Sequence, residues 1–74
     1  MKTIYIYTEY ITLGQFLKLA GIIRNGGEAK TFLLCEKVYV NNEFESRRGR
    51  KLYDGYKVII RDIEYLVKKD VCSK

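Results

Sequence analysis

Histidine, proline and tryptophan are missing from this chain of 74 residues, methionine occurs once and cysteine twice. Each shortage removes a class of chemistry. Without histidine no side chain has its ordinary pKa near neutrality, so general acid–base catalysis lacks its usual agent. Ser46 and Ser73 stand in no nucleophile turn, and no GxxxxGK[ST] phosphate loop is present. Cys35 and Cys72 are far apart, have no CxxC partner and no histidine to complete a zinc site, so neither a metal nor any other cofactor is expected and a disulfide is not required. No apolar run approaches the ~20 residues of a membrane span. The opening Met1-Lys2-Thr3-Ile4-Tyr5-Ile6-Tyr7 has neither the sustained apolar region nor the cleavage site of a leader. A non-enzymatic protein of the reducing cytoplasm is the expectation.

What is present suffices for one small domain, residues 1–74. Apolar residues make up 47% of the chain and aromatics 14%, enough for a globular core. A domain of this size hides only about 60% of its unfolded surface, which leaves little room for a deep catalytic cleft. It is expected to fold alone, as a monomer.

The net charge of +5 is unevenly spread. Lysines and arginines balance glutamates through residue 46, and residues 52–74 add a single positive charge. The remaining four lie in Arg47-Arg48-Gly49-Arg50-Lys51. Such a cluster repels itself, and a polyanion relieves it by exchanging condensed counterions for arginine and lysine. Short basic runs also occur as ordinary solvated loops or at anionic membranes, so the surroundings must decide.

Ile4-Tyr5-Ile6-Tyr7 is rich in β-formers and reads as an opening strand. Thr12 with Gln15 three residues on makes a capping box for a helix carrying Leu13, Phe16, Leu17 and Ala20 on one face, and Gly21 closes it. Asn25 with Glu28 repeats the signal ahead of Ala29, Phe32 and Leu33. Gly26 and Gly27 in that first turn suggest either an anion at the open amides or, by preference, a tight contact between helices. From Lys37 the period becomes two: Val38-Tyr39-Val40, a turn at Asn41-Asn42, then Glu43-Phe44-Glu45. Leu52-Tyr53, a turn at Asp54-Gly55, Lys57-Val58-Ile59-Ile60, a turn at Arg61-Asp62 and Glu64-Tyr65-Leu66-Val67-Lys68 complete the chain. The expected fold is therefore α+β, two short helices on one face of a small, mostly antiparallel twisted sheet, with Phe16, Leu17, Phe32, Leu33, Val38, Val40 and Ile59 as core and the other sheet face left to bind.

The carboxylates Glu43 and Glu45 alternate along a strand, which solvated polarity explains better than acid–base work. Most of the seven tyrosines read as structural: no RNP1-like pattern is present, and Tyr5, Tyr7, Tyr39 and Tyr65 occupy strand positions. Outside the cluster, Lys18 on the first helix, Arg24 between the helices, Lys30 beside Ala29 and Lys37 at the foot of the hairpin could join one positive surface if residues 47–51 fold back toward the helices.

Residues 11–60 resemble the S4 RNA-binding domain, whose motif is a leucine-rich helix, a polar turn, a helix with alanine and two apolar residues, and a Val-x-Val-Asn hairpin. Here these are Phe16-Leu17-Lys18-Leu19-Ala20-Gly21, Asn25-Gly26-Gly27-Glu28-Ala29-Lys30, Phe32-Leu33 and Val38-Tyr39-Val40-Asn41, followed by Leu52, Gly55 and Val58. The stretches 11–20, 26–30 and 47–52 look like the small stand-alone bacterial S4 proteins of the YaaA type, with an added first strand and final hairpin. Two positions depart from the pattern: Asn25-Gly26 replaces Ser-Arg, and Glu36 replaces the glycine before the hairpin. The resemblance implies the αL-motif fold and an RNA partner, ribosomal or tRNA-like.

The function expected is recognition of structured RNA through Arg47, Arg48, Arg50 and Lys51, with Lys30, Lys37, Arg24 and Lys18 on the helix side. Four neutralised phosphates predict about a 50- to 150-fold loss of affinity between 50 and 200 mM salt. Two rivals stand beside this reading. One is an adaptor on the ribosome or the replication machinery whose basic loop meets an acidic protein surface. The other is a β-grasp carrier, which needs a Gly-Gly terminus where this chain has Val71-Cys72-Ser73-Lys74.

Overall fold

A computed structural model describes residues 1–70 of the chain. The order of elements is β1 (Lys2–Ile6), β2 (Tyr10–Thr12), α1 (Leu13–Leu19), α2 (Glu28–Cys35), β3 (Val38–Val40), β4 (Glu43–Glu45), β5 (Lys51–Tyr53), β6 (Lys57–Ile60) and β7 (Ile63–Lys69). Five strands form one sheet in the order β1-β7-β6-β3-β4. Only β1 and β7 run parallel, and the other neighbours are antiparallel. A separate antiparallel ribbon joins β2 to β5, and β2 is a strand that the sequence reading did not anticipate. The α+β class and the mostly antiparallel sheet are as expected.

Local chemistry explains the first helix well. Gln15 N donates to Thr12 Oγ1 at 3.3 Å while Thr12 N donates to Gln15 Oε1 at 3.0 Å, a complete capping box. At the other end Gly21 takes φ +78°, Ile22 N donates to Leu17 O at 2.9 Å and Gly21 N to Lys18 O at 3.0 Å. That is a Schellman closure, and it turns the chain sharply toward the second helix.

The start of α2 differs from the expectation. Asn25 is not its cap: the cap position is Gly27, in helical conformation and without a side-chain hydrogen bond. The Glu28 carboxylate reaches back one residue further, accepting from Arg24 N at 2.7 Å. Nor do the two glycines serve a helix–helix contact. A Cβ on Gly26 would meet nothing within 4 Å, and one on Gly27 would meet only Asn25 Oδ1, at 3.2 Å.

Two-residue turns set the sheet register. Asn41 and Asn42 take φ of 52° and 71°, Arg61 and Asp62 of 52° and 65°, so both hairpins have the paired left-handed conformation that matches strand twist. Asparagine and aspartate tolerate it, whereas Arg61 is an unusual occupant. The register then pairs Val40 with Glu43 and Val38 with Glu45 on one hairpin, and Ile60 with Ile63 on the other.

One core unites the helices with the inner sheet face: Leu13, Phe16 and Leu17 of α1, Ala29 and Leu33 of α2, and Val38, Val40, Val58, Ile60, Tyr65 and Val67 of the sheet. Phe16 is fully buried, edge-on to Tyr65 with ring centroids 5.5 Å apart. Truncating such a residue to alanine costs about 3–5 kcal/mol. Two expected core members are only half-buried, Ile59 on the outer sheet face and Phe32 at the margin of the core it packs against. Ile59 lies between buried Val58 and Ile60, so strand alternation turns it to the outer face, opposite Tyr39. Phe32 is only half-buried, with the Arg61 guanidinium 5.3 Å above its ring. The outer sheet face thus presents Ile59, Tyr39 and Phe44 rather than the basic cluster, which belongs to the helix side of the molecule. Cys35 is exposed at the end of α2; Cys72, and the terminal residues weighed against a carrier terminus, lie outside the described residues.

Candidate nucleic-acid interface

The basic segment leaves β4 and enters β5 by folding against the start of α1. An α-helix begins with amides that lack intrahelical acceptors. Here Leu13 N donates to Arg50 O at 2.8 Å and Gly14 N to Arg48 O at 2.9 Å, so the loop backbone supplies what the helix lacks. The loop closes on itself through Arg50 N to Arg47 O at 3.2 Å, and Lys51 then pairs with Thr12 in the ribbon. A Cβ on Gly14 would lie 3.5 Å from the Arg48 Cβ and 3.6 Å from the Ala29 Cβ. Gly14 is therefore the point where loop, first helix and second helix meet.

Electrostatics hold the loop from the other side. Glu45 has only 5% of its surface exposed, on the sheet face of its register partner Val38 and beneath the loop that follows it. Its carboxylate accepts from Arg47 Nε at 2.9 Å, from Arg47 N at 3.0 Å and from Arg50 Nη1 at 2.8 Å. The side-chain hydrogen bond from Arg47 dominates, outweighing the cost of burial with help from the Arg47 amide and Arg50, and lowers the Glu45 pKa to about 2. Glu45 is thus not the solvated strand carboxylate that the sequence suggested. It is an internal anchor for two of the cluster's three arginines.

The structure separates the eight candidate cations into groups. Arg47, Arg48, Arg50 and Lys51 share the loop and its exit strand, and Lys30 lies in the first turn of α2 next to Ala29, whose Cβ faces Gly14. Arg24 stands in the turn between helices, with its side chain 93% exposed and Nε 4.0 Å from Glu28. Lys18 is in the last turn of α1, lining a shallow hollow with Ile11, Gln15 and Leu19. Lys37 lies past the far end of α2, in a hollow with Cys35, Glu36, Tyr39, Ile59, Arg61 and Asp62. The negative charge of Glu36 there is met by Arg61 Nη2 at 3.4 Å. The four loop cations share one segment, whereas Lys18, Arg24 and Lys37 stand in a turn or line hollows other than the loop's own groove.

Sequence reasoning passed over three tyrosines. Tyr10 and Tyr53 are paired across the β2–β5 ribbon with ring centroids 5.6 Å apart, and Tyr53 and Tyr56 follow at 5.7 Å. Lys51 Nζ stands 4.9 Å from the centre of the Tyr10 ring, a cation–π contact. Arg47, Gly49, Arg50, Lys51, Tyr53 and Tyr56 line an open groove of about 530 Å³. The signal for it was the spacing Lys51-x-Tyr53, which places both side chains on one face of a strand.

Fold and site together define a small α+β module whose densest feature is a set of cations pinned to the start of a helix. The chain belongs to the S4 domain family, whose model matches residues 4–68, a stretch that takes in the second half of β1 and nearly all of β7. It is 64% identical over 52 residues to the probable ribosome maturation protein RlbA of Bacillus subtilis (strain 168), a match that covers 70% of this chain and 73% of that protein. Among the described residues no helix is long and apolar enough to cross a membrane.

Proposed function

We propose that this protein is a non-enzymatic RNA-binding module, one domain over residues 1–74 acting as a cytoplasmic monomer, which takes structured ribosomal or tRNA-like RNA in the course of ribosome maturation. The observation that carries the reading is the fixed position of the loop. Two backbone hydrogen bonds to Leu13 and Gly14, and the Glu45 carboxylate behind it, hold Arg48 and its neighbours in place before any ligand arrives. A cation set ordered in advance loses little entropy on meeting a phosphate backbone. Lys30, next in sequence to Ala29 at that junction, extends the surface onto α2, and Lys18, Arg24 and Lys37 add further charges to it. The similarity to a probable ribosome maturation protein of Bacillus subtilis supports the ribosomal direction.

Phosphate contacts fix position and carry no base information, so shape selects the target. The test is ultraviolet crosslinking in cells followed by sequencing of the attached RNA, with nuclease treatment of a parallel pull-down. Enrichment of ribosomal or tRNA sequences, together with partners lost on nuclease treatment, is the expected result. Ribosomal proteins that stay bound after complete RNA digestion would instead make the basic loop a contact for an acidic protein surface.

A further inference from the structure

We propose that the groove between the basic loop and the β2–β5 ribbon receives one unpaired nucleotide of the bound RNA, its base stacked on Tyr53 and its phosphate held by Arg47 and Lys51. The inference rests on the RNA-binding reading and adds to it a pocket for a base, which phosphate contacts alone do not provide.

The groove combines the two surfaces a nucleotide needs. One wall is aromatic: Tyr53 and Tyr56, with Tyr10 continuing the row beyond Tyr53. Tyr53 is 38% exposed although its strand neighbour Leu52 is fully buried, so part of the ring stands open to solvent on the outward face of β5. The other wall is cationic, from Arg47, Arg50 and Lys51. Gly49 adds backbone at the rim, and an added Cβ there would meet nothing within 4 Å. At about 530 Å³ the space falls within the range of about 300–1,000 Å³ usual for ligand clefts.

The cations are also divided in a way that suits this task. Lys51 is drawn over Tyr10, which leaves Tyr53 and Tyr56 as the rings bordering the groove. Arg50 is turned inward by Glu45, with 26% of its side chain exposed, while Arg47 keeps 77% exposed although it is bonded to the same carboxylate. Arg47 can therefore meet a phosphate without leaving its anchor. Arg48 does not line the groove, so its charge is left for RNA phosphates outside it. A paired base cannot enter, because its faces are covered by its neighbours in the stack. Only a bulged, looped or single-stranded nucleotide offers a free π-face.

The experiment measures binding of the full chain to an RNA hairpin whose stem is fully paired and to the same hairpin carrying one bulged adenosine. The wild-type protein is expected to prefer the bulged probe, and Tyr53→Leu, which keeps apolar bulk but has no π-face, to lose that preference by about 5- to 150-fold, the range set by removal of one stacking aromatic. Tyr53→Phe is expected to retain it, and Arg48→Glu to weaken both probes by the same factor. Circular dichroism melting establishes that each variant is folded. Equal wild-type affinity for the two probes, an equal loss on both with Tyr53→Leu, or loss of the preference with Tyr53→Phe overturns the pocket and leaves RNA binding standing. Failure of the wild-type protein to bind either probe overturns both readings.

Discussion

Gly14 N donates to Arg48 O at 2.9 Å, one of the two backbone hydrogen bonds by which the basic loop meets the first turn of the first helix. The contacts an added Cβ would make there, 3.5 Å to Arg48 and 3.6 Å to Ala29, are of ordinary van der Waals length. Gly14→Ala is therefore expected to fold and to gain about 0.4–1 kcal/mol, because the unfolded chain loses freedom while the helix keeps its geometry. Gly14→Leu has no such room and must displace the loop or α2. Urea unfolding measures the first effect. RNA affinity that falls for the leucine variant and holds for the alanine variant marks the second.

Arg48 makes no ion pair among the described residues, unlike Arg47 and Arg50, which are tied to Glu45. It is the loop arginine whose charge can be reversed with least damage to the fold. Arg48→Glu is expected to leave the thermal midpoint within a few degrees of the wild type and to flatten the plot of log affinity against log salt by about one phosphate's worth. Lys18→Glu, outside the loop and its groove, is expected to change that slope far less. Equal slopes for the two variants would remove the loop from the interface.

The salt dependence itself is smaller than the basic run implies by simple counting. Glu45 offsets one of the four loop charges, leaving about three to neutralise phosphates. Between 50 and 200 mM salt the affinity is then expected to fall about 20- to 40-fold, with single-strand and double-strand slopes giving the two ends. Filter binding across that range checks it, and an affinity indifferent to salt would contradict phosphate recognition altogether.

Much of this arrangement was legible in the residues. The capping box at Thr12 and Gln15, the closing glycine at 21 and the turn at Asn41-Asn42 are local devices, and each acts as its chemistry requires. What escaped was non-local. Tyr10–Thr12 is too short to show a period, and it becomes a strand only because Lys51–Tyr53 arrives beside it. Ile59 was misplaced because a continuous apolar run does not announce which of its members face inward. Glu45 could have been found. A two-residue turn at 41 and 42 places it opposite Val38, on the core side, and the arginines two and five residues later are the partners such a buried carboxylate needs.

Because burial and charge meet in Glu45, the loop's anchor depends on pH. In the unfolded chain its carboxyl titrates near 4.5, as an ordinary glutamate does, whereas in the folded protein the arginine hydrogen bonds hold it down to about 2. A group with a depressed folded pKa binds its proton more readily when unfolded, so its contribution is complete above about pH 4.5 and is lost as the pH falls toward 2. Glu45→Gln removes that contribution at every pH. At pH 7 it is expected to lower stability by about 1–3 kcal/mol, toward the low end because Arg47 remains largely in water. Urea unfolding of both proteins at a series of pH values should show the gap constant from pH 7 to about 5, narrowing below 4.5 and closing near 2. A gap that persists unchanged through that window would mean that the ion pairs do not hold the loop, and the preordering of Arg47 and Arg50 would then need another cause.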